Sequence, residues 1–306
     1  MHPGSQAAPP PPRSSRRAAR SAFASALADC GNPASGGRRW LFVPYDQLSD
    51  PIGPPASQPA ERLGIVLVES PRKAARRPYH RQKLALVLAN LRQFAVEQAR
   101  RGVAVRHVVS GGSYADALAT VADDLGPLEV QRPAERELRE DLAPLVDAGA
   151  LRVLPHEGWL TTREQFDAAG SGGPPWRMDA FYRRVRRDSG LLMVDGSPEG
   201  GRYSHDGANR KAWPGTPPAP EPPRFEPDAI TAEVVGLVED RFDAHPGRVD
   251  PGALPATAAD AERLWRWALA ECLPHFGPYE DALSERSREL FHTRVAPLLH
   301  LHRLLP

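Results

Sequence analysis

Two groups of side chains in this 306-residue chain have the types and spacing to do chemistry. The first sits behind short apolar runs. Trp40-Leu41-Phe42-Val43 gives way at Pro44 to Tyr45, Asp46 and Gln47, and the run from Gly64 to Val68 ends in Glu69. Polar groups where a buried strand becomes loop offer donors and acceptors to the edge of a planar heterocycle, because ligands of parallel sheets gather at the carboxyl ends of strands. An equal reading of Asp46 is that it caps the next turn. The second group is basic. Arg72, Lys73, Arg76, Arg77, His80, Arg81 and Lys83 follow Glu69, while Arg183, Arg186 and Arg187 fall within a turn of one another on a helix, with Arg202 beyond it. Guanidinium groups so close repel unless an anion or carboxylates answer them. Phosphate is one such anion; a solvated helix face is the plainer alternative for the charge run.

Several common chemistries lack their residues. There is no Walker loop, no G-x-G-x-x-G after a strand, no H-E-x-x-H and no G-x-S-x-G elbow, which removes the usual marks of NTPases, dinucleotide dehydrogenases, zinc proteases and serine hydrolases. No nucleophile–base pair and no metal-ligand set can be nominated; a lone histidine such as His205 is more often structural. Cys30 and Cys272 are the only cysteines, too few for a disulfide framework or an iron–sulfur cluster, and they point to a reducing, cytoplasmic setting. No apolar run approaches the roughly 18 residues of a membrane helix. A formal net charge of +1 gives no case for nucleic acid from charge alone.

The elements that must position these groups follow from hydrophobic period. Residues 40–43, 64–69, 103–109, 128–130 and 151–154 read as strands; 80–101, 114–124 and 134–148 read as helices, with Gly102 ending the first of them. Strand and helix in alternation predict an open α/β domain, a doubly wound parallel sheet, over residues 39–168. Residues 1–38, rich in Ala, Pro and Arg, read as a disordered leader. Residues 169–228 read as a helix (177–190, with Met178, Phe181 and Val185 toward a core) and a proline-rich linker. Helices resume at 229–242 and 258–273, the latter opened by a Thr257/Asp260 capping box.

Particular residues also carry a family resemblance. Y-D-Q-L-S-D at 45–50, Y-H-R-Q-K-L at 79–84, F-Y-R-R-V-R-R-D-S-G-L-L-M at 181–193, P-E-G-G-R-Y at 198–203 and D-G-A-N-R at 206–210 resemble the deoxyribodipyrimidine photolyase-related branch of the cryptochrome/photolyase family. That branch is the bacterial iron–sulfur type that includes (6-4) photolyases. The resemblance, over residues 40–306, implies an antenna-type α/β domain followed by an all-helical FAD domain, here 229–306 and incomplete. It implies light-driven repair of UV-damaged DNA, a carbon–carbon lyase reaction, by electron transfer from reduced FAD; a chain shortened in this way is not expected to be competent alone. The alternative is a non-catalytic chromophore- or nucleotide-binding module or light sensor.

Matched to the family's segments, Asp46, Gln47 and Glu69 fall on the antenna side, the pigment being 6,7-dimethyl-8-ribityllumazine. His292, Thr293, Arg294, Val295 and Ala296 fall on the flavin-phosphate segment, and Phe276 and Tyr279 on flavin-side aromatics. Arg183, Arg186, Arg187 and Arg202 are the DNA candidates. The family's cluster cysteines are absent here. The chain also departs from the family at Tyr45, where glycine is usual, at Lys73, where an acidic or neutral residue is usual, and at Ala296, where serine is usual. A monomer is expected.

Overall fold

The computed structural model describes residues 21–31, 33, 36–170 and 173–306. Its first element, α1 (Ala22–Asp29), lies inside the segment that composition marks as a disordered leader. The Ser21 hydroxyl accepts from the Ala24 N–H and donates to Glu233 at 2.8 Å, while Phe23 is buried against the core. Phe23, Ala26 and Leu27 make one apolar stripe that is stable only against a partner, which a count of Pro, Ala and Arg does not register. The rest of the expected leader, residues 1–20, lies outside the described residues.

The apolar runs assemble as the alternation requires. In chain order come β1 (Arg39–Phe42), a short α2 (Gly53–Ser57), β2 (Leu63–Glu69), α3 (Pro71–Ala75), α4 (Arg81–Arg100), β3 (Ala104–Val109), α5 (Tyr114–Leu125), β4 (Leu128–Gln131), α6 (Arg136–Asp147) and β5 (Leu151–Leu154). The five strands pair in parallel in the order β3-β2-β1-β4-β5. Successive side chains of a strand leave opposite faces. Trp40, Phe42, Val66 and Val68 therefore pack with Leu118 of α5 and Leu138 of α6. Leu41, Val43, Ile65 and Leu67 meet Leu91, Phe94 and Ala95 of α4 on the other face. Gly64 is required by close approach: a Cβ there would come within 2.5 Å of the Trp40 ring.

Beyond the sheet lie α7 (Arg163–Ala169), α8 (Met178–Ser189), a two-stranded hairpin of β6 (Met193–Val194) and β7 (Ser197–Pro198), α9 (Ala229–Arg241), α10 (Ala258–Trp267), α11 (Leu273–Tyr279) and α12 (Ala296–His300). A π-turn at Ala268–Cys272 joins α10 to α11. The hairpin lies within the stretch that reads as a helix and a proline-rich linker, and Met178, at 73 % exposure, faces solvent rather than a core. Packing also does not divide at 229. Val234 and Val238 of α9 share a core with Leu84, Ala85 and Ala89 of α4, so α9 is a second layer over the α/β region rather than the opening of a separate domain.

The last turn returns to the first strand. The Leu48 N–H donates to the Leu301 carbonyl at 2.9 Å, and Arg303 reaches Glu97 of α4 at 2.8 Å. His302, buried between them, sets its ring 5.1 Å from that of His156 and 5.3 Å from Trp159.

Candidate functional site

Where β1 and β2 stop, a cleft of about 720 Å³ opens between α3, α4 and α12, within the usual range for small-molecule sites. Tyr45, Tyr79 and Tyr114 line it with Leu84, Val87 and Leu88 of α4 and Pro297 and Leu301 from the far end of the chain. Flat rings and aliphatic walls suit a planar guest. The helix that supplies the wall is set by its sequence: the His80 ring accepts from the Gln82 N–H at its start, and its buried face carries Leu84, Leu91 and Phe94.

β1 has β2 on one side and β4 on the other, so the strand order reverses there and a crevice between β1 and β4 is the expected ligand entry. Here that crevice is bolted. Lys73 forms an ion pair with Glu135, and the Tyr45 hydroxyl donates to the same carboxylate at 3.3 Å. The Lys73 ammonium stands 5.0 Å from the Tyr45 ring centre and 5.9 Å from that of Tyr114. Burial, then the charges of Asp46 and Glu135, raise the Tyr45 hydroxyl far above its ordinary pKa, so it remains a donor. The open space consequently lies on the β2 side, over α3 and α4.

The three residues expected on the antenna side have separate fates. Asp46 lies beside Lys73, Glu135 and His300, and its Oδ1 is buried with no partner among the described residues. Burial, reinforced by Glu135 and opposed by a backbone hydrogen bond and by Lys73 and His300, pushes its carboxyl up to about 6. Neither Asp46 nor Gln47 lines the cleft; the Gln47 amide donates to the Gln131 carbonyl at 3.1 Å and fastens β1 to β4. Glu69 is on the cleft floor, but Arg92 holds it through Nε at 2.6 Å and Nη2 at 2.9 Å, and His107 Nε2 lies 3.0 Å away. Burial alone would raise this carboxyl; the bonds from His107 and Arg92 outweigh it and hold the group at about 2. Arg92 also reaches Glu233 at 2.7 Å, which ties α4 to α9.

The segment from His292 to Ala296 and the aromatics Phe276 and Tyr279 lie together in the last third. The His292 ring meets Phe276 edge-on at 6.1 Å, and Tyr279 stacks on Phe291 at 5.4 Å. Val295 is buried, and Arg294 pairs with Glu289. A chamber of about 320 Å³ lies beside Arg294, Pro297 and Leu298.

The arginines of α8 separate as well. Arg186 is buried and donates to the carbonyls of Leu191, Leu192 and Tyr203, with its guanidinium over the Tyr182 and Tyr203 rings. It closes the hairpin and is unavailable to an external anion, which corrects the expectation for that residue. Arg183 pairs with Asp179, whereas Arg187 and Arg202 are exposed and meet no carboxylate among the described residues.

Residues 41–253 match the deoxyribodipyrimidine photo-lyase-related protein family. The chain belongs to that family. It is also 30 % identical over 267 residues to a (6-4) photolyase of Agrobacterium fabrum (strain C58 / ATCC 33970), an alignment that takes in 84 % of this chain and 52 % of that protein. The chain thus spans about half the length of the curated relative it matches.

For a photolyase-related protein, a flavin is the cofactor to test against the residues. The donors that line the 320 Å³ chamber are Gln82 and two arginines already paired, Arg224 with Asp250 and Arg294 with Glu289; Thr293 is not in its lining, and α12 has Pro297 in its first turn, where an N–H is missing. That set fits one edge of a dinucleotide, not the whole. Two cysteines, in different hydrophobic clusters, do not fit a four-thiolate cluster. Sequence reasoning missed Tyr114, His300 and Leu301 as walls of the cleft. Nothing local marks them, since each faces it through tertiary packing.

Proposed function

We propose that this chain acts within a light-responsive flavoprotein whose work is the repair of UV-damaged DNA, and that its own part is to seat a light-harvesting heterocycle in the cleft at the ends of β1 and β2. The observation that carries this reading is the cleft: three tyrosines and a row of aliphatics where β1 and β2 end, walls that suit a flat ring. Membership in the family and likeness to a (6-4) photolyase support DNA as the partner. Arg187 and Arg202 are the side chains free to meet its phosphates. A flavin, if bound, would supply the excited-state electron for splitting a lesion, with Thr293, Arg294, Phe276 and Tyr279 the residues proposed to meet one edge of it. The chain is then a lyase component, working in the cytoplasm.

Absorption of the purified chain tests this directly. A bound pigment adds a near-ultraviolet or blue band beyond that of the protein, and Val87→Trp, which fills the cleft, removes it. A band that survives Val87→Trp, or a protein that takes up no added pigment, overturns the reading. A second reading, a pigment-binding light sensor without repair, is favoured by one contrast: the cleft draws its lining from strand ends and three helices, while the flavin residues form one edge. Blue-light repair of a UV-irradiated oligonucleotide separates the two.

A further inference from the structure

The last turn of the chain is held under strain. His302 adopts the left-handed backbone region, with φ at 57°, where a side chain other than glycine is disfavoured. The residue is 2 % exposed, and neither ring nitrogen finds a partner among the described residues. The ring lies flush on the chain that follows β5. A Cβ on Gly158 would come within 2.5 Å of its Cε1, and the rings of His156 and Trp159 close around it. The turn is tied to the first half of the chain by the Leu48 N–H, which donates to the Leu301 carbonyl, and by Arg303, which reaches Glu97. Pro297, His300 and Leu301, which wall the cleft, hang on those ties.

Around the ring, no carboxylate stands ready for a proton among the described residues. On the chain after β5, His156 accepts the Gly158 N–H through Nδ1 at 3.0 Å, and Glu157 beside it accepts the Gly53 N–H at 2.8 Å. On the turn itself the neighbours are His300 and Arg303, and on α4 Glu97 is already held by Arg303. Asp46 stands next to His300. An imidazolium at position 302 is thus a buried, unanswered charge among other bases, a state that release of the turn relieves. We propose that residues 300–303 are an acid-released latch on the cleft wall: neutral His302 keeps Pro297, His300 and Leu301 in place, and protonated His302 lets them go while the parallel sheet stays folded. The latch acts on the wall itself, whatever occupies the cleft. Segments with few ties open in this way below the cost of global unfolding.

Hydrogen exchange of the full chain, corrected for the intrinsic chemical rate, tests the latch. The reporters are the amides of Leu48, Leu301, His302 and Arg303, whose acceptors lie within the turn or across it. His302 is depressed to about 4 in the closed turn against about 6.5 when free, so closure is favoured above 6.5 and lost as pH falls toward 4. Reporter protection is expected to drop about twentyfold from pH 7 to pH 5, while the β2 amides stay far better protected at both values. In His302→Phe the drop disappears, although Asp46 still titrates near 6. Glu97→Gln lowers protection at both values and leaves their ratio unchanged. A drop that persists in His302→Phe, a ratio that follows Glu97 instead, or reporters that exchange only in step with β2 overturns the latch. Should His302→Phe not fold, the ring nitrogens of the unsubstituted chain decide by NMR. A His302 ring that titrates at its ordinary value is not held by the turn, and the proposal falls.

Discussion

Arg92 in the α/β region and Arg186 in the α8 region are both buried, yet they are satisfied differently. Arg92 is held by two carboxylates, Glu69 and Glu233, from elements far apart in sequence. Arg186 is held by three backbone carbonyls of its own neighbourhood and by two tyrosine faces. The first arrangement fastens separate layers to one another; the second shapes a local loop. Around Arg92 the sheet has apolar layers on both faces. Around Arg186, Met178, Leu191, Leu192 and Val194 stay exposed. A buried cation therefore reports how its region is built: carboxylate partners mark a junction between elements, carbonyl partners mark a clasp within one.

Removing each cation tests that distinction. Arg92→Ala leaves two acids uncompensated and is expected to cost about 3–5 kcal/mol, read as a lower denaturant midpoint for the whole chain. A loss confined to α9 would break the comparison. The junction at the last turn is sensitive to acid. Burial, with His156 and His300 adding to it, depresses His302 to about 4. A histidine held neutral on folding contributes stability above its unfolded value of about 6.5 that is lost as pH falls toward 4. The loss approaches about 3 kcal/mol; thermal melts across that window, with His302→Phe as the control that lacks this group, measure it.

Arg186→Ala comes next, at about 2 kcal/mol. Its effect is expected as faster hydrogen exchange over residues 190–204 while the sheet amides stay protected. Protection lost throughout would erase the contrast with Arg92. The last effect has the opposite sign. Asp46 carries a raised carboxyl pKa, so its charge opposes folding as pH rises from about 4 through 6. Asp46→Asn is expected to stabilise the chain at pH 7, by at most about 3 kcal/mol, and by nothing below pH 4. Stabilisation that persists at pH 3 would locate the cause in something other than charge.

The legibility of these regions in the sequence follows the same physics. The strands, α4 and α5 announce themselves because Ile65 to Val68 or Leu84 to Leu91 repeat apolar residues at a period that local geometry sets. α1 escapes such a reading because its single buried ring, Phe23, gains its partners from distant elements, among them His107 of β3 and Arg92 of α4. Glu69 is recognisable as a polar residue at a strand end, but its commitment to Arg92 depends on a crossing of elements that no local pattern encodes. Arg186, Arg183 and Arg187 share a helix and a residue type. Their division into a clasp, an ion pair and a free cation depends on where the hairpin folds back. The cleft itself was half visible, at Tyr45 and Lys73, and half supplied by residues 296–301.

That last division has a consequence in time. The Leu301 carbonyl receives the Leu48 N–H, and Pro297, His300 and Leu301 complete a cleft whose other walls precede residue 115. During synthesis at roughly 5–20 residues per second, the sheet ends wait some tens of seconds for their remaining wall. A nascent chain paused before α12 thus presents Tyr45, Leu88 and Tyr114 as an open apolar trough, a surface for chaperones rather than for pigment. Loading of the cleft waits for residues 296–301.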